Sequence, residues 1–487
     1  MRQRIWLESR AALTPAAPAL SCNGETWSFA ALAARARGAA RALQARGVRP
    51  GDLVAALLPN GLDFVALIHA APLCGAALVP LNLRLTAREL AFQLRDAAPR
   101  LLVHGPAELA RLAQAATESL PELMRVPSPL ADVTGGELRA ELSLEETAAV
   151  VYTSGTTGLP KGAELGFGAF AWSAIGSAFH LSNAPGDHWL ACLPLQHVGG
   201  LAILYRSALT GAPVTVHERF DPQRVSDELD QGRVTLVSVV ATMLERVLDA
   251  RGARPAPPSL RCVLLGGGPA PQSLLRRARA LGFPVATTYG LTEAASQVAT
   301  LSLDRARLPG DAVGRPLFCT ELRIAGPDGQ ALPVEQPGEI LVRGPTLMKG
   351  YLRRPEDSAR ALRGGWLHTG DIGVLDAAGD LRVLDRRSDL IVSGGENVYP
   401  AEVEATLREH PAVSDVAVAG QPDPSFGARV TAWVVLRADA GASAGELGTF
   451  CRGRIAGYKI PRAFHFVRAL PRTESGKLLR RALTPAP

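Results

Sequence analysis

The sequence predicts an α/β protein. A large N-terminal domain of helix-covered, mostly parallel sheets carries a small β-subdomain and is followed by a small, mobile α+β lid domain at the C-terminus. Three observations lead there. Between residues 52 and 104, short apolar runs alternate with amphipathic stretches, the pattern of strands joined by crossover helices. Between residues 188 and 293, further apolar runs end in glycine-rich or polar loops, where open α/β sheets bind ligands. Helical patterns then thin out from Ala312, and a new mixed pattern begins beyond Asp385–Ser388. The expected domains are therefore residues 1–387 and 388–487.

Each element has its own signal. Thr26–Gly47 has helical apolar spacing with Ser28 as N-cap, and Asp52–Leu58 reads as a strand. Asn60–Cys74 reads as a helix with Asn60 as N-cap, and Ala76–Leu81 as a strand. Thr86–Ala97 is a helix capped by Thr86, with Glu89 at the capping-box position, and Leu101–His104 is a strand. Pro106–Leu144 is weakly patterned and expected to be peripheral, and Ala148–Tyr152 is a strand. Strands follow at His188–Leu193, Val214–Val216, Val234–Val239, Cys262–Leu265 and Val285–Thr288, with helices at Leu201–Leu209, Asp221–Asp230 and Thr242–Ala250. Glu321–Ile324 and Glu339–Val342 are strands around a Pro327–Gly329 turn. In the lid, Pro400–Glu409 and Ala444–Arg454 are helices, and Val413–Ala419, Val430–Leu436 and Ala463–Val467 are strands.

Composition excludes several classes. With 47% hydrophobic and 20% charged residues, the 487-residue chain is that of an ordinary globular protein. No stretch offers about 18 uninterrupted apolar residues. Val54–Leu83 comes nearest and is broken by Pro59, Asn60, Asp63, His69 and Pro72. The N-terminus lacks the apolar core of a signal peptide, so a cytoplasmic enzyme without an integral membrane segment is expected. The six cysteines are widely spaced, form no C-x-x-C and read as buried free thiols. A net charge of +6 is spread among acids rather than gathered in a stripe with aromatics, which gives no nucleic-acid footprint. Only four of the 52 basic residues are lysines: Lys161, Lys349, Lys459 and Lys477. A lysine that persists against such an arginine bias is a candidate for work needing a compact ammonium.

Several loops carry chemistry. Thr153-Ser154-Gly155-Thr156-Thr157-Gly158-Leu159-Pro160-Lys161-Gly162 follows a strand and combines glycines, hydroxyl donors and a lysine, a loop suited to a polyphosphate. It differs from the P-loop, where a glycine rather than Pro160 would precede the lysine. Gly266-Gly267-Gly268-Pro269-Ala270 lets a flat ring lie against backbone. In Thr288-Tyr289-Gly290-Leu291-Thr292-Glu293, Tyr289 can stack on a base, Thr292 can donate to a phosphate and Glu293 can hold Mg²⁺. Asp371, ending Trp366-Leu367-His368-Thr369-Gly370-Asp371, is a double acceptor suited to ribose hydroxyls. Ser393-Gly394-Gly395-Glu396-Asn397-Val398-Tyr399-Pro400 offers backbone for close approach, and Pro471-Arg472-Thr473-Glu474-Ser475-Gly476-Lys477 ends in a lysine.

Taken together, these strings resemble the adenylate-forming superfamily of acyl-CoA synthetases, adenylation domains and luciferases, and the resemblance covers nearly the whole chain. It implies an ATP-dependent acid–CoA ligase working with ATP, Mg²⁺ and CoA, by way of an acyl-adenylate. It further implies that Thr153 to Gly158 and Lys161 hold phosphates, that Gly266, Gly267, Gly268, Pro269, Tyr289 and Gly290 flank adenine, and that Thr292 and Glu293 serve phosphate and metal. Asp371 and Arg386 would hold the ribose. Ser388 would be the hinge, although Asp385 stands where the family usually has glycine before the arginine. Gly394 and Gly395 would line the CoA channel, and Lys477 would contact the carboxylate and α-phosphate during adenylation.

Within the superfamily, Cys192–Ser207 and the Ala295-Ser296-Gln297 run after Glu293 resemble the 2-succinylbenzoate–CoA ligases of menaquinone biosynthesis. That implies a dicarboxylic substrate whose second, unreactive carboxylate needs a cation and donors. Arg206, Ser296 and Gln297 are the candidates, with His197 at the pocket mouth; Arg206 could equally sit in a structural ion pair. The alternatives are another aryl- or fatty-acyl-CoA ligase, or a free-standing adenylation enzyme loading a carrier protein. The expected partners are small molecules, and a homo-oligomer stays open.

Overall fold

The computed structural model describes residues 1–130, 133, 135–154, 159–181, 184–268, 270–307, 312–385, 390–438, 440–471 and 480–483. Two sheets dominate. The first runs Gly350–Tyr351, Pro160–Gly166, Thr147–Ser154, Ala77–Pro80, Leu53–Leu57, Leu101–His104, Met124–Pro127. Its strands from Thr147–Ser154 onward pair in parallel, and the other two are antiparallel. The second sheet has nine strands, in the order Arg315–Pro316, Ser296–Thr300, Val285–Leu291, Cys262–Leu265, Leu236–Val239, Trp189–Ala191, Val214–Val216, Pro18–Cys22, Glu25–Ser28. Its centre is parallel and its edges antiparallel. Helices cover both sheets, so the central strands are apolar on both faces, as in Leu101–His104 and Cys262–Leu265, where every residue is buried.

The capped helices form as their sequence signals require. Ser28 accepts from the Ala31 N–H, Thr86 and Glu89 close the capping box of Ala87–Ala97, and Asp221 caps Pro222–Asp230. Asn60 is not an N-cap. The helix Leu62–Cys74 begins after Gly61, and the Asn60 amide instead donates to the Leu193 and His217 carbonyls while its oxygen accepts from Leu195 N–H. A side chain able to donate and accept at once is worth more between two sheets than at a helix end. Pro106–Leu144 is less peripheral than its composition suggests. It holds the helix Glu108–Thr117, the parallel edge strand Met124–Pro127, and Glu141–Ser143, which pairs with Arg2–Arg4. The helix Phe167–Leu181 left no amphipathic stripe to read, because it is apolar nearly all round.

Strands Glu321–Ala325, Gly338–Arg343, Leu362–Arg363, Trp366–Leu375 and Leu381–Asp385 make the small β-subdomain. A last five-stranded sheet contains only strands after residue 390, and its core of Ile391, Val398, Val403, Leu407, Val416, Val434, Leu447 and neighbours is its own. All six cysteines are free, and all but Cys319 are buried.

Candidate active site

A cavity of about 780 Å³ opens at the carboxyl ends of the parallel strands of the second sheet, where Cys192, Ser238, Val239, Leu264 and Gly266 line it. It is closed from the other side by the C-terminal sheet, through Ser393, Gly394, Gly395 and Glu396.

The nucleotide motifs meet on one wall, where Thr153, Gly266, Gly267, Thr288, Gly290, Thr292, Glu293 and Asp371 all face the cavity. Thr153 stands opposite Lys161 in an antiparallel pair, which sets the mouth of the loop between them. Lys161 pairs with Asp357 at 3.0 Å and lies 5.4 Å from the Tyr351 ring centre. Thr288–Leu291 continues the strand from Val285 rather than forming a loop after it, because it pairs with Ser296–Thr300 across a bulge at Tyr289/Gly290. A Cβ at Gly290 would lie 1.9 Å from the Ser296 carbonyl oxygen, so only glycine fits there. The Tyr289 ring is buried and its hydroxyl donates to Asp371 at 2.7 Å, joining the base-side and ribose-side candidates. Asp371 itself lies within the strand Trp366–Leu375. Gly155, Thr156, Thr157, Gly158, Pro269, Arg386, Ser388 and Lys477 lie outside the described residues, as does the Ser154 side chain.

Glu293 is the middle residue of a short turn, Thr292–Ala294, and its Oε1 accepts the Tyr351 hydroxyl at 2.8 Å. No group of three or more metal-binding side chains occurs among the described residues. Mg²⁺ bound with a nucleotide uses one or two carboxylates and leaves the other positions to phosphate oxygens and water.

On the acid side, Ser296 and Gln297 line the cavity. Ser296 holds φ +105°, directly after Ala295 at +51°, two successive left-handed residues without glycine. Arg206 does not face the cavity; it lies buried behind Gln297, donating from Nη2 to Gln297 Oε1 at 3.2 Å. Its guanidinium stands over Trp189 at 4.8 Å, and burial draws its pKa down to about 10. Among the described residues it has no carboxylate partner, and its Nε and Nη1 make no hydrogen bond. Gln297 in turn donates to Thr300 Oγ1 at 3.0 Å. Gln297 thus bonds Arg206 on one side and lines the cavity on the other.

The lid wall is a tight hairpin. Ile391–Ser393 and Glu396–Val398 pair antiparallel around Gly394 and Gly395, at φ +58° and +83°. Two successive positive φ values are what a two-residue primed turn demands. The hairpin brings Glu396 beside His197, the N-cap residue of the helix Val198–Thr210. Glu396 Oε2 is 3.4 Å from His197 Nε2, and Glu396 also receives Arg84 Nη1 at 3.2 Å and Asn82 Nδ2 at 3.3 Å. Burial pushes the Glu396 carboxyl up, but His197 and Arg84 outweigh it and the net shift is downward, so the group is a carboxylate. Sequence reasoning singled out neither Glu396 nor Arg84 as site residues; the only signal was a carboxylate directly after two glycines.

The chain matches the AMP-binding enzyme family over residues 7–352 and the AMP-binding enzyme C-terminal domain over residues 402–477. It belongs to the AMP-binding enzymes. Among curated proteins it is similar to the 2-succinylbenzoate–CoA ligase of Geobacillus kaustophilus, at 45% identity over 98% of this chain and 96% of that one. Among solved structures, it superposes on a double mutant of o-succinylbenzoate CoA synthetase from Bacillus subtilis bound with its product analogue OSB-NCoA. That match has a TM-score of 0.93 and 41% identity, covering 99% of this chain and 98% of the other. The Bacillus subtilis protein in complex with the acyl-adenylate intermediate OSB-AMP gives 0.77 at the same identity, covering 100% and 99%. In complex with ATP and magnesium ion it gives 0.75, covering 99% and 100%. The overall arrangement here is thus the one seen with the product analogue.

Proposed function

We propose that the chain is an AMP-forming acid–thiol ligase that converts 2-succinylbenzoate to 2-succinylbenzoyl-CoA in menaquinone biosynthesis. The observation that carries this reading is the single cavity in which the nucleotide motifs, the Ser296–Gln297 wall backed by Arg206 and the Gly394–Gly395 hairpin meet. Full-length similarity to proteins of that name supports it. Residues 1–387 form the part that binds ATP and the acid, and residues 388–487 the lid, with Ser388 as hinge.

In the first step an oxygen of the succinyl carboxylate attacks the α-phosphorus of ATP; the new P–O bond forms as the bond to pyrophosphate breaks. The chemistry is charge neutralisation and in-line positioning. Thr153, the loop 154–158, Lys161 and Thr292 hold phosphates, Tyr289 and Gly266–Pro269 the base, and Asp371 and Arg386 the ribose. Glu293 would hold Mg²⁺, which would supply charge shielding at the phosphates. Lys477 bridges carboxylate and α-phosphate. In the second step the CoA sulfur, guided along Gly394 and Gly395, attacks the acyl carbon; the C–S bond forms and AMP leaves with the electrons of the C–O bond. The thiol proton passes to His197, whose Nε2 lies 3.4 Å from the Glu396 carboxylate. The use of ATP and CoA as co-substrates supports a cytoplasmic reaction. No described helix is long and apolar enough to cross a membrane.

The test is selectivity. The ring carboxylate of 2-succinylbenzoate, buried without partners, would cost several kcal/mol, and a pocket built to pair it is left unpaired by an analogue lacking it. The acid 4-oxo-4-phenylbutanoate is therefore expected to be used worse by about two to four orders of magnitude in kcat/KM. Equal use of the two acids, or of a medium-chain fatty acid, would leave only a general acyl-CoA ligase.

A further inference from the structure

Lys459 is one of the four lysines and lies far from the nucleotide motifs. It sits in the short turn Gly457–Lys459 of the lid, buried, with its ammonium 2.6 Å from Glu89 Oε1 and 2.7 Å from Glu402 Oε1. Glu402 belongs to the lid helix Pro400–Arg408, which follows the Gly394–Gly395 hairpin directly. Glu89 belongs to the large domain. Its other oxygen, Oε2, accepts the Thr86 N–H and hydroxyl, both at 2.8 Å, so helix capping occupies one oxygen and leaves the other aimed at the lid. Beside this cluster, lid residue Ala456 is fully buried among Leu85, Leu90 and Leu94 of the large domain.

The cluster is more than the lid needs for itself. Glu402 already supplies Lys459 with a counter-charge inside the lid. Adding Glu89 places two carboxylates about one ammonium, and Glu402 Oε2 has no hydrogen-bond partner among the described residues. Burial, before any neighbour, pushes the Glu402 carboxyl up. The neighbouring cross-domain pair, Arg88 with Glu409 at 2.9 Å, is exposed on both sides and is weak by comparison. A buried pair is different: with its partner removed, an ammonium stays buried and undercompensated. Rotating the lid carries Lys459 and Glu402 away together and leaves Glu89 behind.

We propose that Lys459 and Glu89 are positioning residues for the thioester-forming half-reaction: their buried ion pair, formed across the domain boundary, holds the lid where Gly394, Gly395 and Glu396 reach the cavity. This rests on the two-step ligase reading above. The pair contributes to one lid orientation only, so its loss shifts the balance between orientations without touching the adenylation machinery.

The experiment measures each half-reaction separately in the full-length protein. Adenylation is followed as pyrophosphate release from ATP and 2-succinylbenzoate without CoA, and thioester formation from supplied 2-succinylbenzoyl-AMP and CoA. Glu89→Gln keeps an acceptor for the Thr86 cap, and Lys459→Met keeps the stem. Both are expected to leave adenylation within about twofold and to slow thioester formation about tenfold or more, with the double variant no worse than either single one. Thermal unfolding is followed in parallel. If a variant unfolds, Glu89→Asp, which keeps the charge and shortens its reach, is expected to show the same split. Equal loss in both half-reactions by a folded variant, no loss in either, or additive losses in the double variant would overturn the proposal. If the wild type itself neither releases pyrophosphate nor forms thioester, the ligase reading fails instead.

Discussion

Arginine takes the place of lysine almost everywhere in this chain, and two of the three described lysines have specific surroundings. Lys161 is held between Asp357 and Tyr351 at the end of the loop proposed to bind phosphates, and Lys459 is buried between two carboxylates. Lys349 is the ordinary one, an exposed donor to Thr147. The scarcity of lysine marks these positions in the sequence, but a phosphate ligand and a domain contact look alike there, since both require partners distant in sequence. Arg206 shows the same limit from the other side. Its place in the helix after two glycines was legible, but its position behind Gln297 was not. That position sets the expectation for Arg206→Met. The variant removes a charge that acts through an amide, so turnover of 2-succinylbenzoate should fall while that of 4-oxo-4-phenylbutanoate changes little. The gap between the two acids should then narrow by about tenfold or more in kcat/KM. Parallel loss on both substrates would make Arg206 a packing residue.

Among the elements, those with local signals were legible. The Ser28 cap, the capping box at Thr86–Glu89 and the apolar strand Cys262–Leu265 need nothing beyond neighbouring residues, and they form where expected. Elements whose identity depends on a distant partner were not. Thr288–Leu291 and Trp366–Asp371 read as loops because they are rich in Gly, Thr and Asp, yet both are strands paired with neighbours that tolerate bulges. The Gly394–Gly395 hairpin lies between these cases: its glycines were conspicuous, but only the structure shows them at positive φ, Gly394 against Phe426 and Gly395 against Val240. A Cβ at Gly395 would sit 3.1 Å from Val240 Cγ2 in a backbone region that side chains avoid. Gly395→Leu should therefore block thioester formation by about two orders of magnitude or more while sparing adenylate formation. Lys477→Ala should do the reverse, crippling adenylation and sparing thioester formation from supplied acyl-adenylate. Two variants with opposite phenotypes are what a lid used in two orientations requires. A Gly395→Leu enzyme that cannot make the adenylate would remove the hairpin from the CoA channel.

For the whole molecule, what the sequence could not show is how the lid sits. The contacts that fix it join residues hundreds of positions apart: Glu396 to Arg84 and His197, Lys459 to Glu89, and Ala456 to Leu90. None leaves a periodic or local trace. Together they bring a small domain over the carboxyl ends of a parallel sheet and complete a cavity that neither part encloses alone. The central claim is that one cavity serves two consecutive reactions. The most direct measurement is a single-turnover chase: enzyme in excess is mixed with ATP, Mg²⁺ and 2-succinylbenzoate, sampled, and then given CoA. The expected result is a bound acyl-adenylate with release of one pyrophosphate, converted on adding CoA to 2-succinylbenzoyl-CoA and AMP in equal amounts. Formation of ADP and phosphate, or thioester that appears without a preceding adenylate, would contradict it.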